Sequence, residues 1–327
     1  MSPAFLAYLC DPKTHEDLVL QPTLQDDSGR IIEGFLVSKS NRYPIVRGVP
    51  RFAGYDDSSN YTKSFGYQWN KWSLIQFERD NVGRPMEGHT RRMWERIVGR
   101  TDITPGSVIA DYGCGPGRFL DVARSKGATV IGLDLSDAVE AAQEILGNDE
   151  HVLICQADIL HSPLKPGSMD GTFSIGVLHH TPDARAGFAD MVRSTKPGGW
   201  IGVSVYGLGG HYDNFITNLW RKLFKLLWPV LGHYPPLIYS YTVVYLTRPL
   251  YWSRHLYSLA LPILGYIPRI QLRDIRWSVL DTFDSITPSN QYGFSLFQVF
   301  QWAQDEKLNN ITPSNWAGAS INATKSS

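Results

Sequence analysis

Short apolar runs alternate with helical segments between Thr104 and Tyr206, and this alternation constrains the fold more than any other feature of the sequence. Strands that alternate with helices form right-handed βαβ units, in which helices cover both faces of a parallel sheet. The pattern predicts strands at 108–110, 128–133, 152–156, 171–177 and 200–205, and helices at 118–125, 138–146 and 184–193. A further helix at about 295–306 and a final β-hairpin are expected.

The segment from Asp111 to Gly117 follows the first predicted strand and opens the first helix of this region. Its glycines allow a sharp turn and a close backbone approach to a ligand, and the helix N-terminus beyond them offers free N–H groups. Arg118 stands where the dinucleotide pattern G-x-G-x-x-G requires its third glycine. Asp111, which precedes the glycines, would repel a pyrophosphate but suits a cationic amino group.

Two more acids follow predicted strands. Asp134 closes the second strand, where nucleotide-binding α/β folds place a ribose-binding carboxylate. Asp158 follows the third strand. All three acids are therefore expected at the carboxyl edge of one parallel sheet.

These motifs resemble those of class I S-adenosylmethionine-dependent methyltransferases. The resemblance covers roughly residues 85–206 and the C-terminal element, and it rests on the glycine segment, Asp134-Leu135-Ser136, Ala157-Asp158 and Lys196-Pro197-Gly198-Gly199. The run from Gly176 to His180 is similar to the branch that includes the ubiquinone and menaquinone methyltransferases. The resemblance implies a Rossmann-like α/β fold with a doubly wound, mostly parallel seven-stranded sheet, and S-adenosylmethionine as the cofactor.

The resemblance also implies the residues that bind the cofactor. The backbone at Gly113 and Gly115 would approach the methionine moiety, with Asp111 near its amino group. Asp134 would accept from the ribose hydroxyls and Asp158 from the adenine amino group. The full expected set is Asp111, Gly113, Gly115, Gly117, Asp134, Leu135, Asp158, Ile159, Val177 and Leu178.

His179 and His180 follow the fourth strand and are the candidate catalytic residues. A histidine near the reacting methyl group could act as a general base on a substrate hydroxyl, because its ordinary pKa lies near physiological pH. The other interpretation, which is favoured, is that the pair only shapes the loop or forms hydrogen bonds with the backbone. His180 is favoured over His179 for the catalytic role.

Composition excludes several classes of function. The chain has 327 residues, 43% of them hydrophobic, and its 31 Lys and Arg balance its 31 Asp and Glu. Such a neutral chain lacks the basic footprint of a nucleic-acid-binding protein, so no nucleic-acid partner is expected. Three cysteines lie far apart, at positions 10, 114 and 155, which is typical of a reducing compartment. We expect no signal peptide, and we expect a cytoplasmic location.

Residues 1–55 contain β-prone runs at 34–38 and 43–46, followed by a turn at 47–50. The motifs at Leu9–Pro12, 36–38 and 43–50 resemble the small zinc-ribbon-type domain that serves as the activator subunit of tRNA and release-factor methyltransferases. In that family two cysteine pairs can hold zinc, whereas Cys10 is the only cysteine of this segment. We therefore expect a metal-free domain that packs against the rest of the chain as a brace.

Residues 207–280 interrupt the alternation and are interpreted as a cap. They hold eight Arg or Lys against two acids, and 14 of the 74 residues are aromatic. This divides the chain into domains at 1–55, at 56–206 together with 281–327, and at 207–280. The segment 215–231 predicts a basic amphipathic helix with an apolar side of Ile216, Leu219, Trp220, Leu223 and Leu227, opposite Asn218, Arg221, Lys222 and Lys225. It is either a lid over the active site, which is favoured, or an interfacial helix in peripheral contact with a membrane.

Two further segments are candidates for the site. The aromatic run 65–70 would either fold over the methionine end of the cofactor or pack between domains. Asp281 and Asp284 would either line the acceptor site or form a turn in which Asp284 acts as a cap.

The sequence thus predicts a methyltransferase for a small-molecule or lipid-linked acceptor, with oxygen favoured over carbon or nitrogen. The apolar, aromatic cap favours a bulky, lipid-like acceptor. The alternative is a non-catalytic protein of the same fold that binds a partner through its N-terminal domain.

Overall fold

The computed structural model describes residues 1–53, 62–209, 214–314, 316 and 318–326. The first range holds a small antiparallel sheet, as expected for a β-rich N-terminal domain. Its four strands lie side by side in sequence order as β1 (Val19–Gln25), β2 (Ile31–Val37), β3 (Arg42–Val46) and β4 (Val49–Pro50). Ile31, Leu36 and Ile45 of this sheet are fully or almost fully buried.

A seven-stranded sheet forms the centre of the molecule and confirms the predicted fold class. It is built from β5 (Val108–Tyr112), β6 (Thr129–Asp134), β7 (Val152–Gln156), β8 (Met169–Ile175), β9 (Thr195–Val205), β10 (Asn309–Pro313) and β11 (Ala319–Thr324). Their order is β10-β11-β9-β8-β5-β6-β7. The strands from β9 to β7 are parallel, and β11 is antiparallel to β9. β9 begins earlier than predicted because Thr195 pairs with Met169, although the residues that follow read as a turn.

Helices cover both faces of this sheet. They are α1 (Lys63–Lys71), α2 (His89–Val98), α3 (Arg118–Ser125), α4 (Ala138–Leu146) and α5 (Ala184–Ser194), followed by the helices of the cap. Successive residues of β5 face opposite cores: Ile109 packs in the cluster of Trp94 and Phe119, and Ala110 in the cluster of Phe188. The alternation seen in the sequence therefore produces the doubly wound arrangement that was expected.

The cap consists of α6 (Phe215–Leu231), α7 (Tyr234–Thr247), α8 (Arg254–Leu264) and α9 (Ile275–Ile286), and α10 (Leu296–Asp305) follows it. α9 runs as one helix across residue 281, where a domain boundary was expected, and the division into domains stays a prediction. Asp284 lies inside the last turn of α9, so its predicted role as a cap is wrong. None of the helices in the described ranges combines the length and apolarity that spanning a bilayer requires.

The faces of α6 differ from the prediction. Thr217 and Phe224 are its buried residues, whereas Leu219 and Leu223, expected on the packed side, are exposed. Arg221, expected in solvent, donates to the backbone oxygen of Ser285 at 2.8 Å. Ser285 lies in the last turn of α9, where its carbonyl oxygen has no partner within the helix, so Arg221 points inward to bind it while Leu219 and Leu223 stay exposed.

The N-terminal sheet is anchored to the central sheet through Arg51, whose side chain is 1% exposed. Its guanidinium contacts Glu140 Oε1 at 2.6 Å and Gln156 Oε1 at 3.0 Å, and the backbone of Arg51 pairs with the edge of β7 at Gln156. Glu140 also pairs with the exposed Arg47. The expected packing against the rest of the chain is therefore present.

We predict that Arg51→Ala lowers the free energy of unfolding by about 3 kcal/mol, because it removes one partner of a buried ion pair. Arg47→Ala provides the control, since it removes an exposed partner of the same carboxylate and should change that free energy by less than about 1 kcal/mol. Urea denaturation measures both. Equal losses in the two variants would contradict this assignment.

Candidate functional site

One cavity of about 570 Å³ lies at the carboxyl ends of the parallel strands. This size suits a small-molecule site, which typically occupies a few hundred cubic ångströms at this edge of an α/β sheet. Six residues of the expected cofactor set line it: Gly113, Gly115, Asp134, Leu135, Ile159 and Val177.

The glycine segment is packed too closely for larger side chains. Gly113 has φ +92°, and a Cβ there would lie 2.3 Å from Cγ1 of Val177. Gly115 has φ +52°, and a Cβ there would lie 3.3 Å from the ring nitrogen of Trp69. The turn that leads into α3 therefore requires glycine at both positions.

Asp134 is held by three hydrogen bonds at the end of β6. Its Oδ2 accepts from the Gly115 N–H at 2.8 Å, and its Oδ1 accepts from the N–H and hydroxyl of Ser136 at 2.8 and 2.6 Å. Burial raises the pKa of Asp134, whereas these donors lower it. Because a carboxylate has about four acceptor positions, Oδ2 keeps one for a ligand hydroxyl.

Asp111 lies behind the glycine segment and is 1% exposed. Neither carboxyl oxygen has a hydrogen-bond partner among the described residues, and burial raises its pKa well above the ordinary range. A buried carboxyl group without a partner is unfavourable unless a cation or donor compensates it. The ammonium group of S-adenosylmethionine would supply that charge, so Asp111 and Asp134 both fit this cofactor.

Four expected cofactor residues lie outside the cavity lining, and Asp111 is one of them. Gly117 has φ +94°, and a Cβ there would lie 2.6 Å from Cδ1 of Leu146, so its role is to let α3 pack on α4. Leu178 is fully buried in the core. The Asp158 side chain is 39% exposed and accepts from the Leu160 N–H at 2.9 Å.

His180 lines the cavity, and its protonation follows from its contacts. Its Nδ1 donates to the backbone oxygen of Asn290 at 2.9 Å, because a carbonyl oxygen only accepts. Burial lowers the pKa of His180, against the opposing effects of Asp284 and of this hydrogen bond. The neutral ring therefore keeps its lone pair on Nε2, which has no hydrogen-bond partner among the described residues.

His179 is fully buried and does not line the cavity. Its Nδ1 accepts from the Tyr206 N–H at 3.3 Å, its ring centroid lies 3.8 Å from that of Tyr206, and burial lowers its pKa well below the ordinary range. The two histidines therefore have different environments: His180 lines the cavity and His179 is buried, because successive residues of this short turn point in different directions.

The aromatic run on α1 lies over the cavity. Phe65 and Trp69 line it, and Trp69 covers Gly115. Tyr67 points away and packs on Phe283, with ring centroids 5.9 Å apart. Different residues of this helix therefore line the cavity and pack against α9, and contact with the methionine end of the cofactor stays a prediction.

Two acids of α9 line the other end of the cavity. Asp284 accepts from Gln68 Nε2 at 3.0 Å and from the Tyr206 hydroxyl at 3.1 Å. Asp281 accepts only a long 3.4 Å bond from Gln76 among the described residues. Burial, together with the charge of Asp284, raises the pKa of Asp281 to about 7, and Arg118 opposes this shift.

Arg118 is the cation of this end of the cavity and was not predicted as a site residue. No described residue forms an ion pair or a hydrogen bond with its guanidinium group, and the guanidinium carbon lies 4.3 Å from the ring centroid of Phe119. Burial lowers the pKa of Arg118, while Asp281, Tyr206 and Asp284 raise it. The sequence feature that could have identified Arg118 as a site residue is its position directly after the glycine segment.

The remaining lining at this end is apolar and aromatic. His89 packs edge-on against Trp277 and Trp316, with ring centroids 5.1 and 5.4 Å apart, and burial lowers its pKa to about 4. Met93 and Leu280 complete the wall. These residues come from α2, α9 and the final hairpin, so no local pattern links them.

We predict that Asp281→Asn stabilises the protein more at pH 8 than at pH 4.5. Folding raises the pKa of Asp281 from 3.8 to about 7, so the unfolded chain ionises first as the pH rises and this group lowers stability across that interval. Asparagine has no such ionisation. Thermal denaturation at the two pH values measures the difference.

Asp27→Asn is the control for this prediction. It removes an exposed carboxylate of the N-terminal segment that does not line the cavity, so no comparable stabilisation at pH 8 is expected. A pH-independent effect of Asp281→Asn would show that its carboxyl group does not titrate in this interval.

Residues 110–203 match the family described as "Methyltransferase domain". The chain is 28% identical over 157 residues to the sterol 24-C-methyltransferase of Yarrowia lipolytica, which covers 46% of this chain and 41% of that protein. It is 34% identical over 133 residues to the malonyl-(acyl-carrier protein) O-methyltransferase of Serratia marcescens, covering 41% and 51%. The chain spans about half or less of the length of these two curated relatives.

A solved complex between the Haloferax volcanii Trm112 methyltransferase activator and a methyltransferase is similar in fold at 15% identity. The alignment covers 79% of this chain and 98% of that one, with a TM-score of 0.44.

Proposed function

We propose that this chain, in which residues 110–203 form a class I S-adenosylmethionine-dependent methyltransferase domain, transfers a methyl group to an oxygen atom of a small or lipid-like acceptor. The observation that carries the proposal is the cavity itself. It joins the glycine segment and Asp134 at one end to His180, Asp281 and an apolar wall at the other. The matched sterol and malonyl methyltransferases, named for lipid-like and small substrates, support this acceptor class.

The residues of the first end suit the cofactor part by part. Asp111 would pair with the ammonium group, Asp134 would accept from the ribose, and Leu135 and Ile159 offer apolar surface to the adenine ring. Asp158 stays a predicted adenine ligand. S-adenosylmethionine supplies a methyl group activated by its positively charged sulfur. The chain would contribute chiefly by positioning the two reactants.

The second end would bind the acceptor. Met93, Trp277, Leu280 and Trp316 favour an apolar acceptor body. Methylation at oxygen releases the hydroxyl proton, and the lone pair on Nε2 of His180 would accept it. Asp284 favours the imidazolium that results, because its charge raises the pKa of His180.

We predict that Asp134→Ala weakens S-adenosylmethionine binding by roughly 1.5–3 kcal/mol, the range for hydrogen bonds to a charged group. Isothermal titration measures the affinity. Asp137→Ala is the matched control, since Asp137 lies three residues further along the same loop but does not line the cavity, and its affinity should stay near that of wild type. An Asp134→Ala affinity within a factor of two of wild type would exclude Asp134 as the ribose ligand.

We also predict that His180→Ala lowers kcat by about 100-fold, the effect of losing a general base, and leaves cofactor affinity unchanged. The assay follows formation of S-adenosylhomocysteine with a panel of long-chain and polycyclic alcohols. The exposed His161→Ala is the control variant. A kcat within threefold of wild type would assign catalysis to positioning alone.

The non-catalytic alternative makes a different prediction. A protein that acts only through its N-terminal domain has no need of cofactor binding. Failure of the wild type to bind S-adenosylmethionine at millimolar concentration would overturn the proposed function and favour that alternative.

A further inference from the structure

The outward faces of α6, α7 and α8 carry many exposed apolar side chains, and we call these faces together the cap surface. Each helix contributes a stripe of exposed side chains at helical spacing, and Leu226 and Val230 are 76% and 86% exposed. The stripes comprise Phe215, Leu219, Leu223, Leu226 and Val230 on α6, Tyr234, Ile238, Tyr241 and Tyr245 on α7, and Leu259 and Ile263 on α8. Exposed apolar regions of this extent mark interaction sites.

The helix α7 is apolar on two opposite sides. Its inner side packs on α9, where Val243 and Val244 join Phe283 in a buried cluster. Its outer side carries Ile238, which is 63% exposed, between tyrosines. A helix that is apolar all round is normally covered all round, so the outer side lacks its partner.

The cap surface is not the inside of a lid. None of the described side chains of α6, α7 or α8 lines the cavity, because α9 lies between them and the site. The expectation that the apolar side of 215–231 covers the active site is therefore wrong. The bare stripes face away from the bound reactants and are available to something outside the chain.

The charge of this region selects the kind of partner. Residues 214–273 contain seven Arg or Lys and no Asp or Glu. Lys222 and Lys225 are exposed beside the leucines of α6. A second copy of the cap would bring like charges together, whereas an anionic surface would be attracted. Basic residues, tyrosines and leucines on one face are the composition of a helix that lies in a membrane interface.

We propose that the cap surface binds the interfacial region of an anionic lipid bilayer, with α6 and α7 lying in its plane. The leucines of α6 and Ile238 of α7 would insert below the headgroups, and Lys222 and Lys225 would contact lipid phosphates. The helices are too short and too interrupted to cross, so the contact is peripheral. This proposal does not depend on the methyl acceptor.

The test is sedimentation of the full chain with vesicles at physiological salt. The wild type is expected to pellet with phosphatidylcholine vesicles that contain phosphatidylglycerol, and not with pure phosphatidylcholine. Lys222→Gln with Lys225→Gln should weaken binding about 30-fold, at about 1 kcal/mol for each basic residue. Leu226→Gln with Ile238→Gln should weaken it about 100-fold, because two apolar side chains can no longer be buried.

Matched controls change exposed residues away from the cap. Lys13→Gln with Lys39→Gln removes the same charge, and Val19→Gln with Val82→Gln removes comparable exposed apolar groups. These variants should bind vesicles like the wild type. Cofactor affinity, measured in every variant, should be unchanged, which separates a folding defect from a loss of membrane contact.

Three results would overturn the proposal. The first is failure of the wild type to sediment with anionic vesicles, and the second is equal binding to neutral vesicles. The third is a chain that does not bind vesicles but dimerises with increasing concentration, and whose dimerisation is abolished by Leu226→Gln with Ile238→Gln. The last would identify a second copy of the chain as the occupant. Failure of the wild type to bind S-adenosylmethionine would instead overturn the proposed function, and it would not affect this inference.

Discussion

The site depends on how the loop after β5 is held against the end of β6. The N–H groups of Gly113 and Cys114 both donate to the Leu133 oxygen, at 2.7 and 2.9 Å, and the Gly115 N–H donates to Asp134. Val177 lies so close to Gly113 that no side chain fits between them. The loop therefore fixes the position of Asp134, the start of α3 and the floor of the cavity together.

The helix α9 links this site to the cap. Its Asp281 and Asp284 face the cavity, while Val279 and Phe283 pack in the cluster with α7. One helix thus separates the cavity from the exposed apolar surface of α6 to α8. Any lipid-like acceptor that reaches the cavity would meet a wall whose other side faces the proposed bilayer contact.

The N-terminal sheet serves the same framework from the opposite side. Arg51 extends the edge of β7 and pairs with Glu140 on α4. An edge strand of a parallel sheet otherwise presents unpaired backbone groups, so this contact covers an edge as well as joining the two sheets.

The sequence by itself determined the elements of the central sheet, the glycine segment and Asp134, because strand and helix periodicity and turn chemistry are local properties. It did not determine which of His179 and His180 reaches the cavity, since both occupy one short turn. Nor did it determine that Arg118, Asp281 and Trp277 line the same cavity, because α3 and α9 lie far apart in the chain and only packing brings them together. The outward turn of α6 was likewise decided by tertiary structure: Arg221 has a carbonyl partner on α9, and a helix with apolar residues on two sides can bury only the side that its neighbours cover.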